Sequence, residues 1–224
     1  MARTLPIFPL PVVLFPGVAL PLHIFEPRYR RMLADCLAED RRFGLVFLPE
    51  GTAERELPRG HVGCVAYIEK AESLPDGRSN IAVSGQERFA LEHFVDSPLP
   101  YHLAEVAEYS DVPEPQPVLD SLAAEVRATF ERVARAARII TEDRAGLPEL
   151  PDEAALLAFR IASLIDIDAT RRQALLSSRS PLARLREIEQ VLTSAVEPLE
   201  RRAAVHQRAK LNGRGYGAEP EASP

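Results

Sequence analysis

Histidine and cysteine side chains are the residues of this chain that could bind a metal ion. The sequence has five histidines and two cysteines, Cys36 and Cys64. His61 precedes Cys64 by three positions, and His93 and His102 lie in the same half of the chain. A structural zinc site usually shows a second closely spaced pair of ligands, and none accompanies this one. We therefore expect that the chain holds no metal ion and no other cofactor. The cysteine is expected in the core and the histidines at the surface.

The segment around the start of the first predicted helix could bind another polypeptide. Apolar residues at Met32, Leu33, Cys36 and Leu37 would bury one face of that helix and leave arginines and a tyrosine outward. An exposed ring among arginines can stack on an extended chain and hydrogen-bond to its carbonyl groups. The candidate residues are Phe25, Glu26, Arg28, Tyr29 and Arg31. In the alternative interpretation, Arg28 or Arg30 pairs with an acid of the β half, and Tyr29 covers the end of that half.

The elements that would position these residues begin with an almost wholly apolar run from Leu5 to Phe25. This run is long enough to span a bilayer. It contains five prolines, however, which would leave unsatisfied carbonyl groups in hydrocarbon. We expect two short strands around a turn at Phe15-Pro16-Gly17, followed by a helix from about Pro27. The chain is not expected to cross a membrane.

Residues up to about 110 carry the pattern of short strands. Apolar runs over 42–48 and 62–68 suit buried strands, and Gly63 is a place where a neighbour can pass closely. Leu74-Pro75-Asp76-Gly77-Arg78 predicts a turn, and Gly85 predicts a bend or bulge between strands over 79–84 and 87–94. A further strand over 101–109 brings the predicted number of strands to about six, and one helix is inserted after the first strands. This pattern favours a small closed or half-closed barrel.

Beyond a proline-rich segment, the apolar period becomes that of a helix. We expect a long helix from about Leu119 to Ile140, a second over 151–165, a third over 169–176 after the cap Asp168, and a fourth that begins with Ser180-Pro181. The fold class is therefore α+β, a β-barrel followed by a helical bundle. The predicted parts are a barrel domain over residues 1–112, a linker over 113–117, a helical domain over 118–211 and a disordered tail over 212–224.

Composition limits the function. The chain has 224 residues and a formal net charge of −6, which argues against general affinity for nucleic acid or anionic lipid. Two cysteines without a signal peptide are typical of free thiols in a reducing compartment, so we expect a cytoplasmic protein.

The sequence resembles the N-terminal domain of Lon proteases. The resemblance rests on the first 48 residues with PLPVVLFPGVALPLHIFEPRYRRML, the LPDGR turn, the step Gly85-Gln86-Glu87-Arg88-Phe89, and the helical half in that order. It covers roughly residues 4 to 200 and is closer still to bacterial proteins that consist of this domain alone. It implies a PUA-like barrel with an inserted helix, and a non-catalytic part that recognises protein substrates.

The modules that do chemistry in full-length Lon have no counterpart in this sequence. There is no G-x-x-x-x-G-K-[ST] segment to bind nucleotide phosphates. A serine–lysine dyad would have to use Lys70, at the end of a predicted strand, or Lys210, beside the predicted tail; neither is a place to depress the pKa of an amine. We therefore expect no enzyme activity.

The predicted function is recognition of unfolded or exposed polypeptide segments, as an adaptor or regulator of proteolysis. The expected partners are unfolded or partly folded proteins and a protease or chaperone, with no nucleic acid and no membrane. The sequence does not indicate which oligomeric state the chain adopts. Arg88 is expected to pin a bulged strand through a carboxylate. Two alternatives stay open: an RNA-binding PUA-like protein, and a small-molecule sensor or hydrolase with a barrel pocket.

Overall fold

The strand half of the molecule contains one inserted helix. The computed structural model describes residues 3–143 and 146–213, and the strands within these ranges are β1 (Arg3–Leu10), β2 (Ala19–Ile24), β3 (Arg42–Phe47), β4 (Val62–Ser73), β5 (Ser79–Val95) and β6 (His102–Glu108). Helix α1 (Pro27–Ala38) lies between β2 and β3, as predicted, and a single 3-10 turn spans Glu54–Glu56. The predicted turn chemistry is present, because Gly17 and Gly77 both have positive φ angles.

All six strands described by the structure belong to one sheet, in the order β2-β5-β4-β3-β1-β6. The β1–β3 pair is parallel and every other pair is antiparallel. Strand β4 pairs with one edge of β5. Strands β2 and β6 therefore both pair with the other edge of β5. The β2 pairing ends at Ser84, and the β6 pairing begins at Phe89. Because β6 also pairs with β1, the succession of paired strands returns to β5.

A bulge interrupts β5 where its two edge partners meet. Cys64 faces Arg88 and Ala66 faces Gly85, so β5 advances by one residue more than β4. The predicted irregularity at Gly85 is therefore confirmed. A side chain at position 85 would collide with the carbonyl oxygen of Phe15, which explains the glycine. The close approach predicted at Gly63 is confirmed too, because the ring of Phe89 occupies the space that a Cβ there would need.

Four helices follow in the described part of the chain: α2 (Gln116–Thr141), α3 (Ala154–Leu164), α4 (Ala169–Ser177) and α5 (Pro181–Gly213). Their order and caps follow the sequence pattern. The Asp168 carboxylate accepts a hydrogen bond from the Arg171 N–H at 2.8 Å, and the Ser180 hydroxyl accepts one from the Ala183 N–H at 3.0 Å. In the described part of the chain, none of the helices combines the length and apolar character that crossing a membrane requires.

Two of the predicted boundaries are wrong. Helix α2 begins at Gln116, inside the predicted linker over 113–117, and α5 continues to Gly213, inside the predicted tail over 212–224. The linker prediction failed because Pro117 fits the first turn of a helix, where its missing N–H removes no helical bond. The remainder of the predicted tail, residues 214–224, lies outside the described residues.

The segment before α2 is fixed to the helices at several points. The Val112 N–H donates to the Arg179 carbonyl at 2.8 Å. The Glu114 carboxylate accepts hydrogen bonds from the Ser180 hydroxyl and from the Leu182 N–H, at 2.5 and 2.8 Å. A carboxylate at the N-terminus of α5 is stabilised by its unsatisfied N–H groups and its dipole. The segment therefore joins the two halves firmly.

A single apolar cluster extends across both halves. From the β half it includes Val13, Phe15, Val18, Phe47 and Val62, and from the helical half it includes Leu157, Phe159, Leu185, Ile188 and Leu192 among others. The rings of Phe15 and Phe159 stack with their centroids 5.3 Å apart. Two further clusters lie within the sheet and beneath α1. The β1–β2 turn and helix α3 are thus parts of the same core.

Candidate functional site

The structure corrects the predicted orientation of Tyr29 at the start of α1. Tyr29 was expected to face outward, but its side chain is only 3% exposed and its ring centroid lies 4.1 Å from that of Phe8. Tyr29 is buried because it shares one face of α1 with Met32, Leu33 and Cys36. Conversely, Leu37 was expected in the core and is 39% exposed.

Arg28 is committed to partners within the molecule. Its Nη1 and Nη2 donate to the two carboxylate oxygens of Glu54 at 2.8 and 2.7 Å, and its Nε donates to Glu26 at 3.0 Å. The Tyr29 hydroxyl and the His102 Nε2 also contact Glu54, at 3.3 and 2.9 Å. The alternative interpretation is therefore the one observed: Arg28 pairs with an acid of the β half, and Tyr29 covers the end of that half.

The pKa values of this cluster reflect its geometry. Burial raises the pKa of the Tyr29 hydroxyl, and the nearby Glu54 charge raises it further. Partial burial opposes ionisation of Glu54, but the hydrogen bonds and positive charge of Arg28, together with His102 and the Tyr29 hydroxyl, outweigh it and lower the pKa of that carboxyl. The Glu54 hydrogen bonds raise the pKa of Arg28. These charges stabilise one another within the folded protein.

The other three predicted residues remain at least partly accessible, and Glu26, which pairs with Arg28, has a side chain that is 41% exposed. Phe25 is 59% exposed, and Arg31 is exposed with its Nε 2.9 Å from the Asp35 carboxylate. Both cysteines are buried, and burial raises the pKa of the Cys36 thiol to about 12. Across residues 3–143 and 146–213, no cluster of three or more histidine, cysteine, aspartate or glutamate side chains could hold a metal ion.

A hollow lies between the strand half and the helical half of the molecule. A cleft of about 700 Å³ separates the central part of β5 and the end of β6 from α3, and the β1–β2 turn closes one side. A second hollow of about 350 Å³ adjoins it and shares Pro16, Gly17 and Leu156 with it. We call the two together the junction groove. Its apolar side chains include Pro16, Leu150, Pro151, Leu156 and Phe159.

Gln86 and Glu87 form the β5 wall of the groove. They lie between the last residue paired with β2 and the first paired with β6, at the bulge. Glu87 is exposed and receives a hydrogen bond from the Arg3 Nη2 at 2.7 Å. Bulges commonly lie at sheet edges and beside binding sites, where they re-aim a side chain or end the pairing of strands. The groove therefore has an irregular, accessible strand along one wall.

A buried ionic network supports the floor of the groove. Arg88 and Arg184 are 6% and 0% exposed, and both donate to Oδ1 of Asp111 at 2.5 Å. Arg88 also donates to the carbonyls of Leu176 and Ser178, while the guanidinium carbon of Arg184 lies 4.3 Å from the centre of the Phe159 ring. Burial lowers the pKa of Arg88, and the adjacent positive charge of Arg184 adds to this effect, against the attraction of Asp111.

This network confirms one prediction and shows what the sequence did not reveal. Arg88 does anchor a bulged strand through a carboxylate. The sequence does not indicate that this carboxylate is Asp111, and Arg184 is not among the residues it predicts. The available signal was the position of Arg184, one residue before Leu185 on the buried side of α5.

Comparisons with known proteins identify the family. The family described as "ATP-dependent protease La (LON) substrate-binding domain" matches residues 4–194. This range includes the sheet and the junction groove, apart from Arg3, and most of the helical half. The chain therefore belongs to the Lon substrate-binding domain family, which confirms the resemblance.

Individual relatives agree with this assignment. The chain is 29% identical over 201 residues to Lon protease 2 of Herpetosiphon aurantiacus and 28% identical over 211 residues to Lon protease of Geobacter metallireducens. These alignments cover 88% and 92% of this chain but only 24% and 26% of the relatives. The chain thus spans about a quarter of the length of the curated relatives it matches.

Solved structures show the same fold. A crystal structure of a Lon N-terminal domain protein from Xanthomonas campestris has 26% identity and a TM-score of 0.59, with 85% of this chain and 98% of that one covered. The N-terminal domain of Lon protease from Mycobacterium avium complex aligns with a TM-score of 0.65 over 85% of this chain and 98% of its own. Its identity is 18%, so that likeness concerns the fold alone.

Proposed function

We propose that this chain is a non-catalytic recognition module that binds unfolded or otherwise exposed polypeptide segments in the junction groove. The observation that carries the proposal is an open apolar groove between the two halves of a Lon substrate-binding domain. Ligand sites are commonly concave, largely apolar and located between structural units. The ring of strand pairings that begins and ends at β5 is, in this proposal, the PUA-like barrel.

The groove suits an extended chain better than a compact ligand. Its two hollows run on either side of the Pro16–Gly17 turn, so a ligand that filled both would be elongated. Apolar side chains exposed by an unfolded segment would lose contact with water against Leu156 and Pro151. Folded proteins bury the side chains that this surface would bind, which provides the selectivity.

In its cellular role, the module holds such segments and presents them to a protease or chaperone, acting as an adaptor or regulator of proteolysis. The family and the names of the relatives, which are proteases, support this role.

Fluorescence anisotropy with a labelled, permanently unfolded polypeptide tests the proposal, with the folded parent polypeptide as the control. We expect saturable binding of the unfolded form at micromolar concentration, and none of the folded form. Leu156→Ser removes an apolar contact from the groove and should weaken binding several-fold. Leu164→Ser is the matched control, because Leu164 is a 39% exposed leucine of the same helix that does not line the groove.

A third variant separates the groove from the edge first predicted. Phe25→Ser removes the most accessible aromatic side chain of that edge and should leave binding unchanged. If Phe25→Ser abolishes binding and Leu156→Ser does not, the site is the α1 edge and the groove assignment is wrong. If no unfolded polypeptide binds, the recognition proposal itself fails.

A further inference from the structure

A hollow of about 540 Å³ lies between helix α1 and the ends of β4 and β5. Among the described residues, it shares no lining residue with the junction groove. We call it the α1 hollow. Its α1 wall is largely apolar and includes Ala34 and the exposed Leu37. The opposite wall is formed by Ser73, Gly77 and Ser79.

Arg30 of α1 lines this hollow and has no partner within the protein. Its guanidinium lies directly on Gly77, so closely that a Cβ at that position would collide with Nη2. Gly77 also has a positive φ of 79°, a conformation that glycine adopts without strain. In the part of the chain that the structure describes, the Arg30 side chain forms no ion pair and no hydrogen bond. Its N–H donors are therefore available to a ligand.

Ser79 contributes a buried hydroxyl to the same hollow. The residue is only 8% exposed, and within the described residues its side chain forms no hydrogen bond. Ser73 faces Ser79 across the β4–β5 pair, also lines the hollow, and likewise has no side-chain partner there. Gly77, on which the Arg30 guanidinium lies, is two residues from Ser79, and two residues span at most about 7 Å. A buried hydroxyl without a hydrogen bond is costly, so this site favours a ligand that supplies an acceptor.

The charged side chains that line the α1 hollow are Arg30 and Arg31. Arg31 pairs with Asp35, its Nε lying 2.9 Å from the carboxylate. In the turn, Asp76 pairs with Arg78 at 2.6 Å. Each of these two pairs is neutral as a whole. Arg30 therefore adds one positive charge that no ion pair within the described residues compensates.

Other acids of this region do not line the hollow. Glu72 precedes Ser73 on β4, so its side chain lies on the opposite face of the strand pair. Glu39 and Asp40 follow the last residue of α1, and neither belongs to the lining. The positive charge of Arg30 is thus not cancelled by a carboxylate inside the hollow.

We propose that the α1 hollow binds a carboxylate that is joined to an apolar group. The Arg30 guanidinium pairs with the carboxylate, the Ser79 and Ser73 hydroxyls donate to its oxygens, and the apolar group lies against Ala34 and Leu37. A planar guanidinium matches a planar carboxylate at two points. One unpaired cation also balances one negative charge, whereas a phosphate dianion would need a second. This site is separate from the polypeptide binding proposed for the junction groove.

Proton–nitrogen correlation NMR of the whole chain tests the proposal, with isovalerate as the ligand and isovaleramide as its uncharged control of the same shape. We expect saturable shifts of the Gly77 and Ser79 amide signals at millimolar isovalerate. Isovaleramide should bind at least about tenfold more weakly, because hydrogen bonds to a charged group are stronger than those to a neutral one.

Two peptides distinguish the possible sources of the carboxylate. One ends in leucine with a free C-terminus, and the other has the same sequence with an amidated C-terminus. Tighter binding of the free-acid peptide than of isovalerate identifies the ligand as the C-terminus of a polypeptide. Tighter binding of isovalerate identifies it as a small organic acid. Both results support the carboxylate site.

Variants locate the binding groups. Arg30→Gln should weaken isovalerate binding at least about tenfold, and Arg30→Lys, which keeps the charge without the planar fork, should weaken it less. Ser79→Ala should weaken binding about threefold to tenfold, with no loss of stability, because the hydroxyl has no protein partner to lose. A serine with a purely structural role would leave binding unchanged. Arg186→Gln is the matched control, since Arg186 is an exposed arginine of α5 outside the hollow, and it should retain full affinity.

Other results would overturn the proposal. Equal binding of isovalerate and isovaleramide, or full binding by Arg30→Gln, would show that the cation does not hold the ligand. An equal loss in Arg30→Gln and Arg186→Gln would show a general effect of charge. Displacement of isovalerate by a lower concentration of inorganic phosphate would assign the hollow to phosphate instead. Absence of shifts with every probe would also overturn the carboxylate site, while the junction groove is tested separately with unfolded polypeptide.

Discussion

Arg184 forms a bidentate ion pair with Asp111, in which Nη1 donates to Oδ1 at 2.5 Å and Nη2 donates to Oδ2 at 2.7 Å. The pair joins the start of α5 to the segment that leaves the sheet, and Arg88 of β5 shares the same carboxylate. A planar guanidinium and a planar carboxylate match at two points, so the pair fixes orientation as well as distance. The relative position of the two groove walls therefore depends on one aspartate.

Asp111→Asn should destabilise the protein strongly. The substitution leaves two buried guanidinium groups without their counter-charge, and breaking a buried ion pair in this way costs about 3–5 kcal/mol. Urea denaturation followed by circular dichroism measures the loss. Asp166→Asn is the control, since Asp166 is an exposed aspartate, and we expect it to change the free energy of unfolding by less than about 0.5 kcal/mol. Equal stability of the two variants would contradict a structural role for Asp111.

Gly85→Ala should disturb the groove through the backbone. Its new methyl group would collide with the Phe15 carbonyl oxygen, which belongs to the β1–β2 turn and cannot rotate away like a flexible side chain. We expect a loss of about 1–3 kcal/mol, as for overpacked cores, together with weaker binding of unfolded polypeptide. Gly146→Ala is the control, because among the described atoms none lies within 4 Å of a Cβ there. Unchanged stability and binding in Gly85→Ala would show that the turn can move at no cost.

Tyr29 and Phe25 should respond in opposite ways to truncation. Tyr29→Ala would leave a cavity beside Phe8 and is expected to cost about 3–5 kcal/mol, as other buried aromatic truncations do. Phe25 is mostly exposed, so Phe25→Ala should change stability by about 0.5 kcal/mol or less. Thermal and chemical denaturation of the two variants checks this. A larger effect at Phe25 would mean that Tyr29 is the exposed ring, as the sequence first suggested.

Glu54→Gln should show a specific dependence on pH. The folded protein holds the pKa of Glu54 below its ordinary value of 4.5, so the ionised carboxylate stabilises the fold above that pH. This stabilisation is lost as the pH falls through the lower, folded pKa. The variant should therefore be less stable than the parent by about 1–3 kcal/mol near neutral pH, and the difference should shrink below pH 4.5. A difference that grows on acidification would refute the assigned direction of the shift.

Local sequence pattern predicted the elements of the fold better than their contacts. The apolar period, prolines and caps placed the strands and helices because those signals act within a few residues of each other. Tyr29 was misplaced although its spacing to Met32, Leu33 and Cys36 is that of one helical face. An aromatic ring among arginines suggests a binding function, whereas the spacing agrees with the alternative interpretation, in which Tyr29 covers the end of the β half.

The groove itself could not be predicted from the sequence. It requires the turn at Pro16, the bulge at Gln86 and helix α3 to meet, and these are far apart along the chain. Arg28 and Glu54 are 26 positions apart, and Arg184 and Asp111 are 73 apart. No periodic pattern links such pairs, because tertiary packing alone brings them together. The sequence could indicate that Arg88 needs a carboxylate but not which one.

The stack of Phe15 on Phe159 has a thermodynamic consequence for the whole chain. Because residues of both halves belong to one apolar cluster, melting either half would expose the part of that cluster that the other half contributes. Heat or denaturant should therefore unfold the sheet and the helices in one cooperative transition. A fragment containing the sheet alone would present Val13, Phe15, Val18, Phe47 and Val62 to water and should aggregate. We therefore expect the two halves to unfold together and not as independent domains.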